Sequence, residues 1–148
     1  MNMDDDTDLV TAIATTVASV PDGHVLPTLV DREQEHRGED AIKAQGGDKG
    51  YVGNQNALRE RGIRDYIIPR NNMKTEKEQK DRNPWYRQLK KHRYKIERKQ
   101  SEAKNRHGLG QARYRGLVKV HWQGLLTYMA INLKRIANIL LPLQRPTW

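Results

Sequence analysis

The chain has 148 residues, of which only 36% are hydrophobic, with no Phe and a mean hydropathy of −0.94. That length allows one domain with a core, but the lean core material points to a partial domain or long solvated segments. With no cysteine, a disulfide framework and a thiolate metal site are excluded, and a reducing compartment is suited. The opening MNMDDDTD is acidic where a secretory signal is basic, so a cytoplasmic protein is expected.

Charge divides the chain. Residues 1–50 hold 11 Asp+Glu against 4 Lys+Arg, a net of −7, whereas residues 51–148 hold 7 against 23, a net of +16. A basic half of that size predicts a polyanionic partner, above all nucleic acid. A membrane surface fits poorly, because the basic helix lacks a broad apolar face.

Leu9 to Val17 (LVTAIATTV) is β-branched and apolar or small, which predicts a strand. Pro21, Asp22 and Gly23 form a turn. Val25 to Glu35 reads as a short amphipathic helix with Pro27 in its first turn, followed by a polar connector from His36 to Asp40. Ala41 to Gly47 is a weak strand that delivers Asp48 between glycines. A carboxylate at a strand's C-terminal end is a common functional position, and a plain Gly-Asp turn is the competing reading. Asn54 is a candidate N-cap for about two helical turns ending at Gly62. Ile63 to Pro69 predicts another strand, closed by proline.

Residues 70–84 show no periodicity and are expected to form a loop or linker. Trp85 and Tyr86 open a basic helix, RQLKKHRYKIERKQSEAKNRH, from Arg87 to His107. Within it Arg93, Glu97 and Lys104 follow R-x3-E-x6-K. At about 100° per residue they share one face. Such a stripe could hold a metal ion beside a phosphate backbone; spacing alone favours the plainer reading, a solvated face with i,i+4 charge pairing. Ala112 to Gly116 is a basic, aromatic connector. Val118 to Leu141 is the clearest helix, with Val118, Trp122, Leu125, Leu126, Met129, Leu133, Ile136, Ala137 and Leu140 in 3,4 spacing. That stripe is expected to be the main packing face of the C-terminal half. Lys134 and Arg135 argue against a membrane span, and Pro142 is expected to end the helix.

Taken in order, GGDKGYVGNQNALRERGIRDYIIPRNN and RYKIERKQSEAKNRHGLGQARYRGLVKVHWQGLLTYMAINLKRI resemble the C-terminal part of the catalytic domain of bacterial insertion-sequence transposases of the DDE type. Asp48 matches that family's second catalytic Asp, Glu97 its catalytic Glu, and Arg93 and Lys104 the cations of the Y-x2-R-x3-E-x6-K signature. Lys90 stands at the signature's Tyr, a departure, with Tyr94 nearby. D-K-G-Y alone is weak. The combination of both motifs in order, with G-I-x-x-x-I-I-P between and N-L-K-R-I after, is strong.

The resemblance implies an RNase H-like α/β fold, here an incomplete one of about three strands with flanking helices and long C-terminal helices. It implies 1–148 as a partial catalytic domain: a strand and helix part over 1–69, a loop over 70–84 and a helical part over 85–148. It further implies Mg2+ held by carboxylates, Asp48 and Glu97 among them, because paired divalent ions activate a nucleophile and neutralise charge on the scissile phosphate. Arg93, Lys104, Lys90, Arg98, Arg113 and Arg115 would contact DNA.

The family's first catalytic Asp lies on a strand upstream of anything resembling residues 9–17. Leu9 to Val17 would then be the third strand, with the first two missing, and the spacing of Asp4, Asp5 and Asp6 suggests no replacement. The expectation is a truncated DDE transposase, inactive alone. The alternatives are a small basic DNA-binding protein without catalysis, which still grips DNA or interferes with intact transposase, and a product of a decayed frame without function.

Overall fold

In the computed structural model, which describes residues 1–141, four short strands and six helices follow one another in a mixed α/β order. The first half is built on a parallel strand pair, β3 (Ala44–Gly47) beside β4 (Arg64–Ile67), in the register Ala44↔Arg64 to Gly47↔Ile67. Parallel strands need a crossover, and residues 48–62 supply it through the short helix α2 (Asn56–Arg59). Helix α1 (Leu26–Arg37) carries Pro27 in its first turn, where the missing N–H costs nothing. It lays Leu26 and Val30 onto Ile42, Leu58, Ile63 and Ile67, and these six residues are the core of this half. Residues 48–54 lean on Gly23, where a Cβ would come within 2.9 Å of Gly50 O. Gly23 is therefore required by close approach.

An additional strand precedes the expected first one. β1 (Asn2–Met3) pairs antiparallel with β2 (Val10–Ala12), so only the N-terminal part of the anticipated Leu9–Val17 strand forms a strand. The strands number four rather than about three, and they form two separate pairs instead of one incomplete sheet. The acidic loop between β1 and β2 is closed by Asp4, whose carboxylate accepts from the Thr7 N–H.

Asn54 does not cap α2. Gln55 stands at the N-cap, and its side-chain oxygen turns back to the Gly53 N–H at 2.6 Å. The expected 70–84 loop contains a helix, α3 (Lys74–Asp81). It has no apolar stripe to announce it, because charge holds it in place. The Lys80 ammonium reaches Asp65 at 2.9 Å, Glu76 at 3.1 Å and the Ile67 carbonyl at 2.8 Å.

The single expected basic helix is two helices, α4 (Pro84–His92) and α5 (Tyr94–Arg106), broken at Arg93. Asn83 caps α4 by accepting from the Trp85 and Tyr86 N–H groups, and Pro84 occupies the first turn. Neither proline nor glycine stands at the break. Instead Asp5 straddles it, its carboxylate 2.8 Å from His92 Nδ1 on α4 and 3.3 Å from Lys95 Nζ on α5.

Helix α6 (Leu117–Leu140) matches the expected span, about 36 Å at 1.5 Å per residue. Its packing face is a correction. Gln123, Gly124, Thr127 and Ile131 are buried, whereas Val118, Trp122, Leu126, Met129, Leu133 and Leu140 are exposed, Leu133 by 65%. At about 100° per residue the apolar stripe lies opposite the buried face. Gly124 decides this orientation, since a Cβ there would stand 3.3 Å from Ile13 Cδ1. The small residue lets α6 seat on β2. Among the described residues no helix is long and apolar enough to cross a membrane. Pro142, the expected stop, lies outside the described residues.

Candidate carboxylate site and the basic helix pair

Asp48 stands at the C-terminal end of β3, as its sequence context predicts. Its carboxylate accepts from the Gly50 N–H at 2.9 Å and so caps a short turn. The neighbouring Lys49 donates to Asn71 at 2.7 Å, tying the turn to the segment after β4. Gly46, two residues earlier, lies under Leu89 of α4, where an added Cβ would meet the leucine at 3.8 Å, so the basic helices sit beside the strand.

Glu97 lies in the first turn of α5, where a carboxylate suits the helix dipole. One of its oxygens accepts from Arg93 Nε at 3.1 Å and Nη2 at 2.8 Å. The pair is about half exposed on both sides. This is the i,i+4 charge pairing that the spacing allows, and at such exposure it contributes about 0.3–0.5 kcal/mol. Lys104 is exposed near the far end of α5.

The two carboxylates are each engaged locally. Each has one oxygen already committed, and among the described residues no group of three or more His, Cys, Asp or Glu side chains could hold a metal. Both acids are hard oxygen donors of the kind Mg2+ prefers, so their chemistry suits such an ion.

The other predicted DNA contacts scatter. Lys90 is taken up by Asp81 at 2.9 Å and lies 5.7 Å from the centre of the Tyr86 ring, a structural role. Arg113 packs its guanidinium over Gly108, and its N–H donates to Gln123. Arg115 is exposed in the connector before α6. Arg98 joins a set that spacing did not single out. Lys95, Arg98, Lys99 and Arg106 of α5 face Lys134 and Arg135 of α6 across a cleft of about 510 Å³. At about 100° per residue this face of α5 lies roughly 180° from the stripe of Arg93, Glu97 and Lys104.

The acidic N-terminus enters the same cleft. Lys95 contacts Asp8 at 3.1 Å as well as Asp5, and Arg135 contacts Asp8 at 3.3 Å. Burial by itself would raise the Asp5 pKa, but hydrogen bonds from His92 and Lys95 carry it below the ordinary carboxylate value. Burial likewise works against the charge of Lys95, and its bonds to Asp8 and Asp5 carry it above the ordinary lysine value. No local signal links residues 5 and 8 to residues 92–135. The only hint in the sequence is the opposite charge of the two segments.

A family model described as the transposase DDE domain matches residues 55–137, more than half of the chain. The chain belongs to the DDE transposase domain family. The matched span includes Arg93, Glu97, Lys104 and the N-L-K-R-I segment, and begins after Asp48. No curated protein and no solved structure matches it.

Proposed function

We propose that this chain is an RNase H-like piece of an insertion-sequence DDE transposase, acting on duplex DNA in the cytoplasm. In this reading Asp48 and Glu97 are its contribution to a Mg2+ site, and a chain of these 148 residues neither cleaves nor joins DNA. The observation that carries the reading is the family match running through Glu97 with its Arg93 and Lys104 neighbours. The net charge of +16 over residues 51–148 supports it, because duplex affinity comes chiefly from cations on the phosphate backbone. The inactivity follows from the resemblance, which calls for three carboxylates where this reading assigns two.

Purified protein, supercoiled plasmid and Mg2+ test this reading. Neither nicking nor strand transfer is expected. Activity that Glu97→Ala abolishes would overturn the inactivity.

A second reading, DNA binding without catalysis, is favoured by one specific observation. Six cations converge on the α5–α6 cleft, on the face of α5 away from Glu97. An electrophoretic shift at low salt that weakens steeply as salt rises supports it, and no shift at low salt removes it.

A further inference from the structure

We propose that the cleft between α5 and α6 binds the phosphodiester backbone of duplex DNA, with Asp8 of the N-terminal loop occupying one end where a phosphate would stand. The proposal rests on the reading of the chain as DNA-acting, and adds which surface makes the contact.

Six cations and two acids line the cleft, so its local balance is strongly positive. The acids satisfy only part of it. Asp8 takes Lys95 and Arg135, and Glu102 takes Lys134 at 2.9 Å. Arg98, Lys99 and Arg106 have no carboxylate within ion-pair distance among the described residues. Lys99 is the informative member. It is half-buried, and loss of water pushes its ammonium below the ordinary lysine value. Glu102 and Asp8 pull the other way but do not reverse this, while Arg135 and Arg98 add to it. Lys99 is thus a partly buried cation in the cleft with no carboxylate at ion-pair distance among the described residues. Ser101, Asn105 and Asn138 add neutral donors to the same walls.

A solvated charged face would be convex and would belong to one helix. This one is concave and is shared between two helices. Duplex backbone presents one negative charge per about 1.7 Å of helix axis, so a groove with several unpaired cations matches a run of phosphates rather than a single ion. Asp8 marks the place. Among the described residues it is the one non-glycine residue with positive φ, at 59°, and its carboxylate sits between Lys95 and Arg135.

Fluorescence anisotropy with a labelled 20-base-pair duplex, read across a salt series, tests the proposal. The triple variant Arg98→Gln, Lys99→Gln, Arg106→Gln is compared with an equal charge change elsewhere, Lys43→Gln, Arg59→Gln, Lys77→Gln. The cleft triple is expected to weaken binding by about 10–100-fold near 0.1 M salt and to reduce the log–log salt slope by about 2–3. The control triple should change affinity by less than about threefold, with little change of slope. Asp8→Asn, which keeps a residue tolerant of positive φ, should tighten binding by about threefold or more. Glu39→Gln should not.

Equal losses from the two triples overturn the cleft, as does weaker binding by Asp8→Asn. If Arg93→Gln with Lys104→Gln abolishes binding while the cleft triple does not, the DNA reading stands and the cleft falls. If the wild-type chain does not bind at all, both fall. Circular dichroism melts of each variant separate lost binding from lost folding.

Discussion

Asn132 pairs with Val10 as though it were a neighbouring strand. Its side-chain oxygen accepts from the Val10 N–H at 2.9 Å and its side-chain nitrogen donates to the Val10 carbonyl at 2.8 Å. One amide thereby satisfies both backbone groups of a buried residue and fixes α6 on β2. Gln123 does the same for the connector before α6, accepting from the Arg113 N–H and donating to the Gln111 carbonyl. Asn132 opens the N-L-K-R-I segment, so part of that motif has a structural reason here. Asn132→Ala leaves both groups of Val10 unpaired and should cost about 2–4 kcal/mol, read as a lower urea midpoint. An unchanged midpoint would mean that α6 does not dock on β2.

The orientation of α6 can be checked by comparing two neighbouring positions. Ile131 is 1% exposed and Leu133 is 65% exposed. Ile131→Ala should therefore destabilise by about 2–4 kcal/mol, whereas Leu133→Gln should stay within about 0.5 kcal/mol of wild type. The reverse order in denaturant titrations would put the apolar stripe inside.

Lys80 is the anchor of α3. The side chains of Lys80 and Asp65 are only 14% and 9% exposed. Lys80→Met leaves the Asp65 carboxylate without its cation, and removal of one partner of a buried pair costs about 3–5 kcal/mol. The amides of 74–81 should then exchange rapidly while those of β3 and β4 remain protected. Retained protection in α3 would show that another contact holds it.

The N-terminal clamp carries a pH signature. Asp5 has its pKa lowered in the folded chain relative to the ordinary 3.8, so its contribution is fully present above that value. It is lost as pH falls through the depressed folded value. Lys95 has its pKa raised above the ordinary 10.5, so its contribution is lost only as pH rises through that higher value. Between these limits Asp5 and Lys95 both stay charged and their pairing holds. Asp5→Asn should flatten the acid limb of a stability profile measured from pH 5 downward. An acid limb identical to that of wild type would place the titration elsewhere.

Glu97 bears little structural weight. Among the described residues it pairs with Arg93 alone, and both side chains are at least half exposed. Glu97→Gln should shift thermal unfolding by no more than about 0.5 kcal/mol. A larger loss would make the position structural and weaken its assignment as a functional carboxylate.

Local chemistry was enough to place Asp48 at the end of a strand, Pro27 in a first helical turn, and the span of α6. It also anticipated the Arg93–Glu97 pair, because residues four apart on a helix must meet. The order of two short motifs was enough to reach the family. Periodicity was misleading for the face of α6: it reports which side is most apolar, but a glycine contact with Ile13 and an amide clamp on Val10 chose the opposite side. Helix α3 and the break at Arg93 were illegible for a related reason, since ion pairs across the fold hold the first, and Asp5 spans the second. The cleft depends on Asp8, Lys95 and Arg135, drawn from three distant segments. Only folding brings them together, because charge attraction carries no register along a chain and takes its geometry from the packed backbone.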